Sequence, residues 1–159
     1  MSVLNPALYF TKPYVPPFNI IMSHLYIGGI DSLKSASLFR YIVNCTRHIP
    51  SIPTTETTRI AIHDDPNESA TLLKEIESSQ VLEQIHKARM KGHNVLVHCH
   101  AGMQRSCAVV AMYLIKYHNM TPQEVFRYLP TKRPIAFLPP PTFRTAIYDF
   151  YRNNKTSAS

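Results

Sequence analysis

Val95-Leu96-Val97-His98-Cys99-His100-Ala101-Gly102-Met103-Gln104-Arg105-Ser106 is the stretch that decides the architecture. Its first three residues are a short apolar run without alternation, the pattern of a central strand buried on both faces. Gly102 then allows a tight turn that a side chain would hinder. From Ser106 to His118 the apolar spacing becomes helical, with Val109, Val110, Tyr113, Leu114 and Tyr117 as an ordinary packing stripe. A strand that turns into a helix makes an anion site, because loop N–H groups converge there and the helix dipole adds its attraction. Arg105, at the end of that loop, carries a planar fork that holds two phosphate oxygens at once.

Upstream, His24–Gly28 reads as a short strand and Tyr41–Thr46 as another. Between them Asp31 is expected to cap a helix through about Arg40. Thr58–His63 reads as a further strand with Ile60 and Ile62 on one face. Asp64-Asp65-Pro66-Asn67 is a turn. Ser69–Met90 reads as one long helix, with Leu72, Ile76, Val81, Leu82 and Ile85 facing the core and Lys91-Gly92-His93-Asn94 ending it. Downstream, Thr121-Pro122-Gln123-Glu124 is a capping box with proline at the first helical position, and Thr142–Arg152 reads as the last helix. Strands that alternate with helices predict an α/β fold, a central and mainly parallel twisted sheet of about five strands flanked by helices.

The chain has 159 residues, the size of one domain, and 45% of them are hydrophobic, enough for a real core. Three parts are expected: a Pro- and aromatic-rich leader over 1–19, a compact domain over 20–153 and a polar tail over 154–159. Prolines discourage regular structure in the leader, while Tyr9, Phe10, Tyr14 and Phe18 suggest that it packs on its own domain or on a second copy, so the chain is a monomer or a homodimer through residues 1–19. No window carries the ~18 uninterrupted apolar residues of a membrane span, and the N-terminus lacks the pattern of a secretory signal. Cys45, Cys99 and Cys107 are too few and too irregularly spaced for a disulfide framework, which argues for a reducing, intracellular compartment. The net charge of +7 favours anionic partners in general and selects none of them.

The same field that would hold a phosphate acts on the Cys99 thiol. Helix N-termini and adjacent cations pull a cysteine pKa down from about 8.5, so a resident thiolate is expected beneath the bound phosphate. That is nucleophilic catalysis through a cysteinyl-phosphate. It needs a general acid for the leaving oxygen, and Asp64 or Asp65 sits on the loop after a strand, where open α/β sheets bind their ligands. Ser106 is placed to donate to the Cys99 sulfur. His98 is expected beneath the loop, and His100 with its side chain at the rim. Gln104 is expected as a rim residue, while Cys45 and Cys107 belong to the core. No paired spacing of His98, Cys99, His100 and His93 supports a metal site, and no cofactor is expected.

His98–Ser106 resembles the His-Cys-x5-Arg-Ser/Thr signature of the protein tyrosine phosphatase superfamily, and the form Cys-x-Ala-Gly-x-x-Arg-Ser is similar to its dual-specificity branch. Leu25-Tyr26-Ile27-Gly28, Val43-Asn44-Cys45-Thr46, Ile60-Ala61-Ile62-His63-Asp64 and Lys132-Arg133-Pro134 resemble further segments of that branch, so that the likeness covers roughly residues 20–152. It implies Cys99 as nucleophile, Arg105 as phosphate ligand, Asp64 rather than Asp65 as general acid and Ser106 as the aid to thiolate departure. The phosphate would lie on His100, Ala101, Gly102, Met103, Gln104 and Arg105. Two departures stand out. The segment Ile135-Ala136-Phe137-Leu138-Pro139-Pro140-Pro141 lacks the asparagine that this branch often carries after Arg-Pro, and Gln104 replaces a small residue.

The resemblance implies an enzyme that removes phosphate from phosphotyrosine and phosphoserine/threonine of phosphoproteins. The small chain, with no aromatic recognition loop for a deep phosphotyrosine slot, fits that dual reading. Two alternatives compete with it: a phosphatase for RNA 5′-phosphates or phosphoinositides, which the absence of Lys and Arg from positions 100–104 disfavours, and an inactive phosphate-binding module, disfavoured because Cys99, Arg105 and the acid are all present. A chain this bare resembles the stand-alone or virus-encoded members of the family.

Overall fold

A computed structural model describes residues 14–157. Most of the leader, residues 1–13, lies outside the described residues. Five strands form one sheet in the order β1-β2-β5-β3-β4. They are β1 (Phe18–Met22), β2 (Leu25–Gly28), β3 (Tyr41–Asn44), β4 (Glu56–Arg59) and β5 (Val95–His98). β1 pairs antiparallel with β2, and the other pairings are parallel. The α-helices are α1 (Ser69–Ser79), α2 (Val81–Met90), α3 (Arg105–His118), α4 (Pro122–Lys132) and α5 (Arg144–Ser157).

β5 is the strand that the apolar run predicts. All of its residues are buried. It pairs with both β2 and β3, Val95 opposite Leu25 and Tyr41, His98 opposite Gly28 and Asn44. Val95 and Val97 belong to the large core shared with α3, whereas Leu96 joins Ile42, Ala36 and Phe39 on the other face. Cys99 thus leaves the carboxyl end of the central strand between two parallel neighbours, where such sheets bind their ligands. α3 supplies most of the covering, with ten consecutive residues, Ser106–Ile115, buried.

Local structure departs from the sequence reading at four places. Asp31 does not cap a helix. Ile30–Leu38 is a 3-10 segment whose flanking residue is Gly29, and Asp31 lies in its first turn, 3.7 Å from Lys34 Nζ. The strand expected over 58–63 is β4, which ends at Arg59 because its partner β3 ends at Asn44; Ile60 N–H still reaches the Asn44 carbonyl at 2.9 Å, and beyond that the ladder stops. Ile60 and Ile62 nevertheless both point into the core. The helix expected over 69–90 breaks at Gln80, which is left-handed (φ 54°, ψ 32°). The core stripe steps by four from Leu72 to Ile76 and then by five to Val81, a step that an unbroken helix of about 3.6 residues per turn cannot keep on one face. The break restores that face. Finally, β1 adds an edge strand whose first residues fall in the leader. Phe18 packs edge-on against Tyr26 and Phe39 at 5.8 and 5.4 Å between ring centroids, and Gly29 N–H donates to the Pro17 carbonyl at 3.0 Å.

The capping box at Thr121 and Glu124 is present in both directions, with Pro122 at the helix start. Among the described residues no helix is long and apolar enough to cross a membrane.

Candidate active site

The loop from Cys99 to Arg105 is shaped from outside. The His100 carbonyl accepts from Ile30 N–H at 2.8 Å. The Ala101 and Gly102 carbonyls accept from Arg133 Nη2 and Nε at 3.0 and 2.8 Å. The Met103 carbonyl accepts from Phe137 N–H at 2.9 Å. A peptide unit is planar and trans, so its N–H points opposite to its C=O. Four successive carbonyls held outward therefore turn the N–H groups of Ala101, Gly102, Met103 and Gln104 inward, toward Cys99. Gly102 N–H donates to Cys99 Sγ at 3.2 Å.

Only glycine fits at position 102. Its φ is 69°, and a Cβ there would stand 2.7 Å from Arg133 Nη2 and from the Gly28 carbonyl. Behind the loop, Arg133 is 1% exposed and binds the Pro16 carbonyl and Asn19 Oδ1 at 2.9 and 2.8 Å as well. Its guanidinium therefore joins the loop to the start of β1. The sequence held a faint signal for this residue, the Lys132-Arg133-Pro134 stretch, but no role for it.

Cys99 is buried, with Ser106 Oγ 3.3 Å from its sulfur. Burial alone pushes such a thiol up. Here hydrogen bonds from the Ser106 side chain and from backbone N–H groups, together with the Arg105 charge, outweigh burial and bring the Cys99 pKa below the ordinary thiol value. The two other cysteines go the opposite way. Cys45 and Cys107 are fully buried, and burial pushes both thiols well up, at Cys107 in spite of hydrogen bonds from the Phe137 backbone and the Ser106 side chain. Of the three, Cys99 alone has its thiol pKa drawn down. His98 lies buried beneath the loop, Nδ1 3.3 Å from the Cys99 carbonyl, and burial lowers its pKa and keeps it neutral.

Arg105 opens α3, and its Nη1 reaches the Ile62 carbonyl at 3.3 Å. That bond brings the segment leading to Asp64 and Asp65 to the cysteine loop. The two carboxyls differ in employment. Asp65 Oδ1 accepts from Asn67 N–H at 2.8 Å and caps the 3-10 turn Pro66–Glu68. Asp64 is exposed and makes no hydrogen bond among the described residues. The turn is braced by Glu68 Oε1, which accepts from His63 N–H at 3.2 Å and lies 3.8 Å from Arg47. His100 and Ala101 are exposed at the mouth.

Gln104 is not at the rim. It is 6% exposed, and its amide faces the segment after Arg133. A small residue is common at this position in the resembling family, so nothing along the chain signals a buried amide there.

The sequence family described as dual specificity phosphatase, catalytic domain, matches residues 25–153, which contain Asp64, Cys99, Arg105, Ser106 and Arg133. This chain belongs to that family. It is an enzyme of the protein tyrosine phosphatase type. A protein of Invertebrate iridescent virus 6 described as a tyrosine phosphatase is 33% identical over 121 residues, 74% of this chain and 80% of the viral one. Dual specificity protein phosphatase 8 of the mouse is 26% identical over 166 residues, 97% of this chain but 24% of that protein, so the chain spans about a quarter of that relative's length. The fold is that of human DUSP28, with a TM-score of 0.76 over 91% of this chain and 99% of the other, at 24% identity.

Proposed function

We propose that the chain hydrolyses phosphate monoesters on phosphotyrosine and phosphoserine/threonine of phosphoproteins through a cysteinyl-phosphate. The reading rests on one observation above all: the Cys99 sulfur lies under inward N–H groups, with its pKa drawn below that of an ordinary thiol. In the first step the phosphate oxygens lie on the N–H groups of residues 100–104 and on the Arg105 fork. The Cys99 thiolate attacks phosphorus, the bond to the substrate oxygen breaks, and Asp64 gives its proton to that oxygen. In the second step water attacks the phosphocysteine, the Asp64 carboxylate takes a proton from it, and the S–P bond breaks. Ser106 donates to the departing thiolate. The loop N–H groups and Arg105 are aimed at charge that grows on the phosphoryl oxygens, which is where preorganised donors act most strongly.

A protein substrate is supported by the chemistry of the mouth. Positions 100–104 and 134–142 carry no Lys, Arg, Asp or Glu, so nothing there grips the additional phosphates of a phosphoinositide or a triphosphorylated RNA end.

Turnover of an aryl phosphate by the full chain tests the chemistry. Cys99→Ser is expected to lower it at least about a thousandfold; full activity in that variant would sink the mechanism. Asp64→Asn is expected to slow substrates with poor leaving groups most, and equal loss across leaving groups would exclude Asp64 as the acid. Parallel assays on a phosphopeptide, a phosphoinositide and a 5′-triphosphorylated RNA are expected to favour the phosphopeptide.

A further inference from the structure

The two departures of this chain from its family meet in space. The buried Gln104 side chain reaches across to the segment that lacks the asparagine. Its Nε2 donates to the Leu138 carbonyl at 2.9 Å, and its Oε1 accepts from Thr142 N–H at 3.0 Å. Both ends of the amide are therefore used, and they hold the two ends of the Leu138–Thr142 stretch. The same stretch is joined to the cysteine loop once more, one residue upstream, by Phe137 N–H to the Met103 carbonyl at 2.9 Å. That bond is one of the four that hold the loop carbonyls outward.

We propose that Gln104 is the positioning residue of the phosphate cradle, its amide clamping the 138–142 segment so that the Phe137 N–H keeps the Met103 carbonyl outward and the Gln104 N–H inward. The proposal rests on the phosphatase reading given above. The physical reasoning is direct. Three of residues 138–142 are prolines, which offer no backbone N–H, so Leu138 and Thr142 alone can donate from there. Leu138 N–H is already engaged with the Ile135 carbonyl at 3.2 Å. Without an amide of sufficient reach, the Thr142 N–H and the Leu138 carbonyl lose their protein partners, and the segment is free to shift away from Met103. A small residue at 104 does not span that gap, whereas glutamine does. Gln104 and the proline-rich segment thus form one hydrogen-bonded unit.

Gln104→Met keeps the length of the side chain and removes both hydrogen bonds. Orthovanadate, a phosphate-like oxyanion, reports the cradle independently of turnover. The variant is expected to bind orthovanadate about tenfold more weakly and to lose about tenfold in kcat/KM on an aryl phosphate. An unchanged vanadate affinity and kcat/KM, whatever happens to thermal stability, would overturn the proposal and leave Gln104 a packing residue. Should Gln104→Met not fold, Thr142→Pro removes one of the two bonds from outside the cysteine loop, and it is read by the same two measurements with a smaller expected loss. Wild-type protein and Cys99→Ser run alongside separate the two ideas. Absence of turnover in the wild type counts against the phosphatase reading, while the vanadate comparison still decides the role of Gln104.

Discussion

At the scale of single residues, the sulfur of Cys99 illustrates how donors outweigh burial. A thiol this deep would ordinarily be protonated, as Cys45 and Cys107 are. The Ser106 hydroxyl and the loop N–H groups reverse the direction. A lowered pKa means that the thiolate is already present at pH values where an ordinary cysteine is neutral. Iodoacetate inactivation is therefore expected to reach half its limiting rate at a pH below that of a free thiol, about 8.5. Ser106→Ala removes a donor to the thiolate, so its midpoint moves upward, and turnover is expected to fall about ten- to a hundredfold, the weight of one hydrogen bond to a charged group. A midpoint that stays put would deny Ser106 its part in holding the sulfur. Gly102 is equally exposed to test. Gly102→Ala forces a side chain into a left-handed position against Arg133 and the Gly28 backbone, and the expected cost is on the order of 2 kcal/mol in stability, with turnover lost.

At the scale of elements, caps and breaks reveal which signals are local. The capping box of α4 is formed as the four residues from Thr121 predict, because every partner lies within one turn. Thr121→Ala is expected to cost about 1 kcal/mol in urea unfolding and to leave turnover unchanged, since the lost bonds lie at the end of α4 away from Arg133. The break at Gln80 had a weaker trace, the five-residue step in the core stripe. The ends of β4 had none. Where a strand stops depends on where its neighbour stops, and β3 lies more than ten positions upstream in sequence. The strand expected to run on to His63 therefore ends at Arg59, although the inward side chains Ile60 and Ile62 are as their alternation predicts.

At the scale of the whole molecule, Arg133 ties distant parts of the chain to the cysteine loop. Four hydrogen bonds from its guanidinium serve Ala101, Gly102, Pro16 and Asn19 at once. It holds two of the four carbonyls that set the inward N–H groups, so the shape of the loop depends on one buried side chain. Arg133→Met is expected to cost about 3 kcal/mol or more and to weaken oxyanion binding, measured by denaturant unfolding and vanadate inhibition. Arg133→Lys is expected to rescue little, because a single ammonium cannot replace a planar fork that bonds in several directions. Full oxyanion affinity in Arg133→Met would show that the loop holds its shape without the guanidinium.

Features that depend on neighbours along the chain are legible in the residues alone. The apolar run Val95–Val97, the turn at Gly102 and the helix that follows are consecutive, and they predict a central buried strand that turns into a helix, while the alternation of strands and helices along the chain predicts the mainly parallel sheet. The family resemblance added the preference for Asp64. Tertiary structure alone decided how the loop is held open. The partners of its four carbonyls are Ile30, Arg133 and Phe137, each more than thirty positions from the carbonyl it holds. The buried amide of Gln104 is explained by Leu138 and Thr142, and the difference between Asp64 and Asp65 by a cap. Hydrogen bonds of this kind follow from which groups folding brings together, and spacing along a chain carries no record of that.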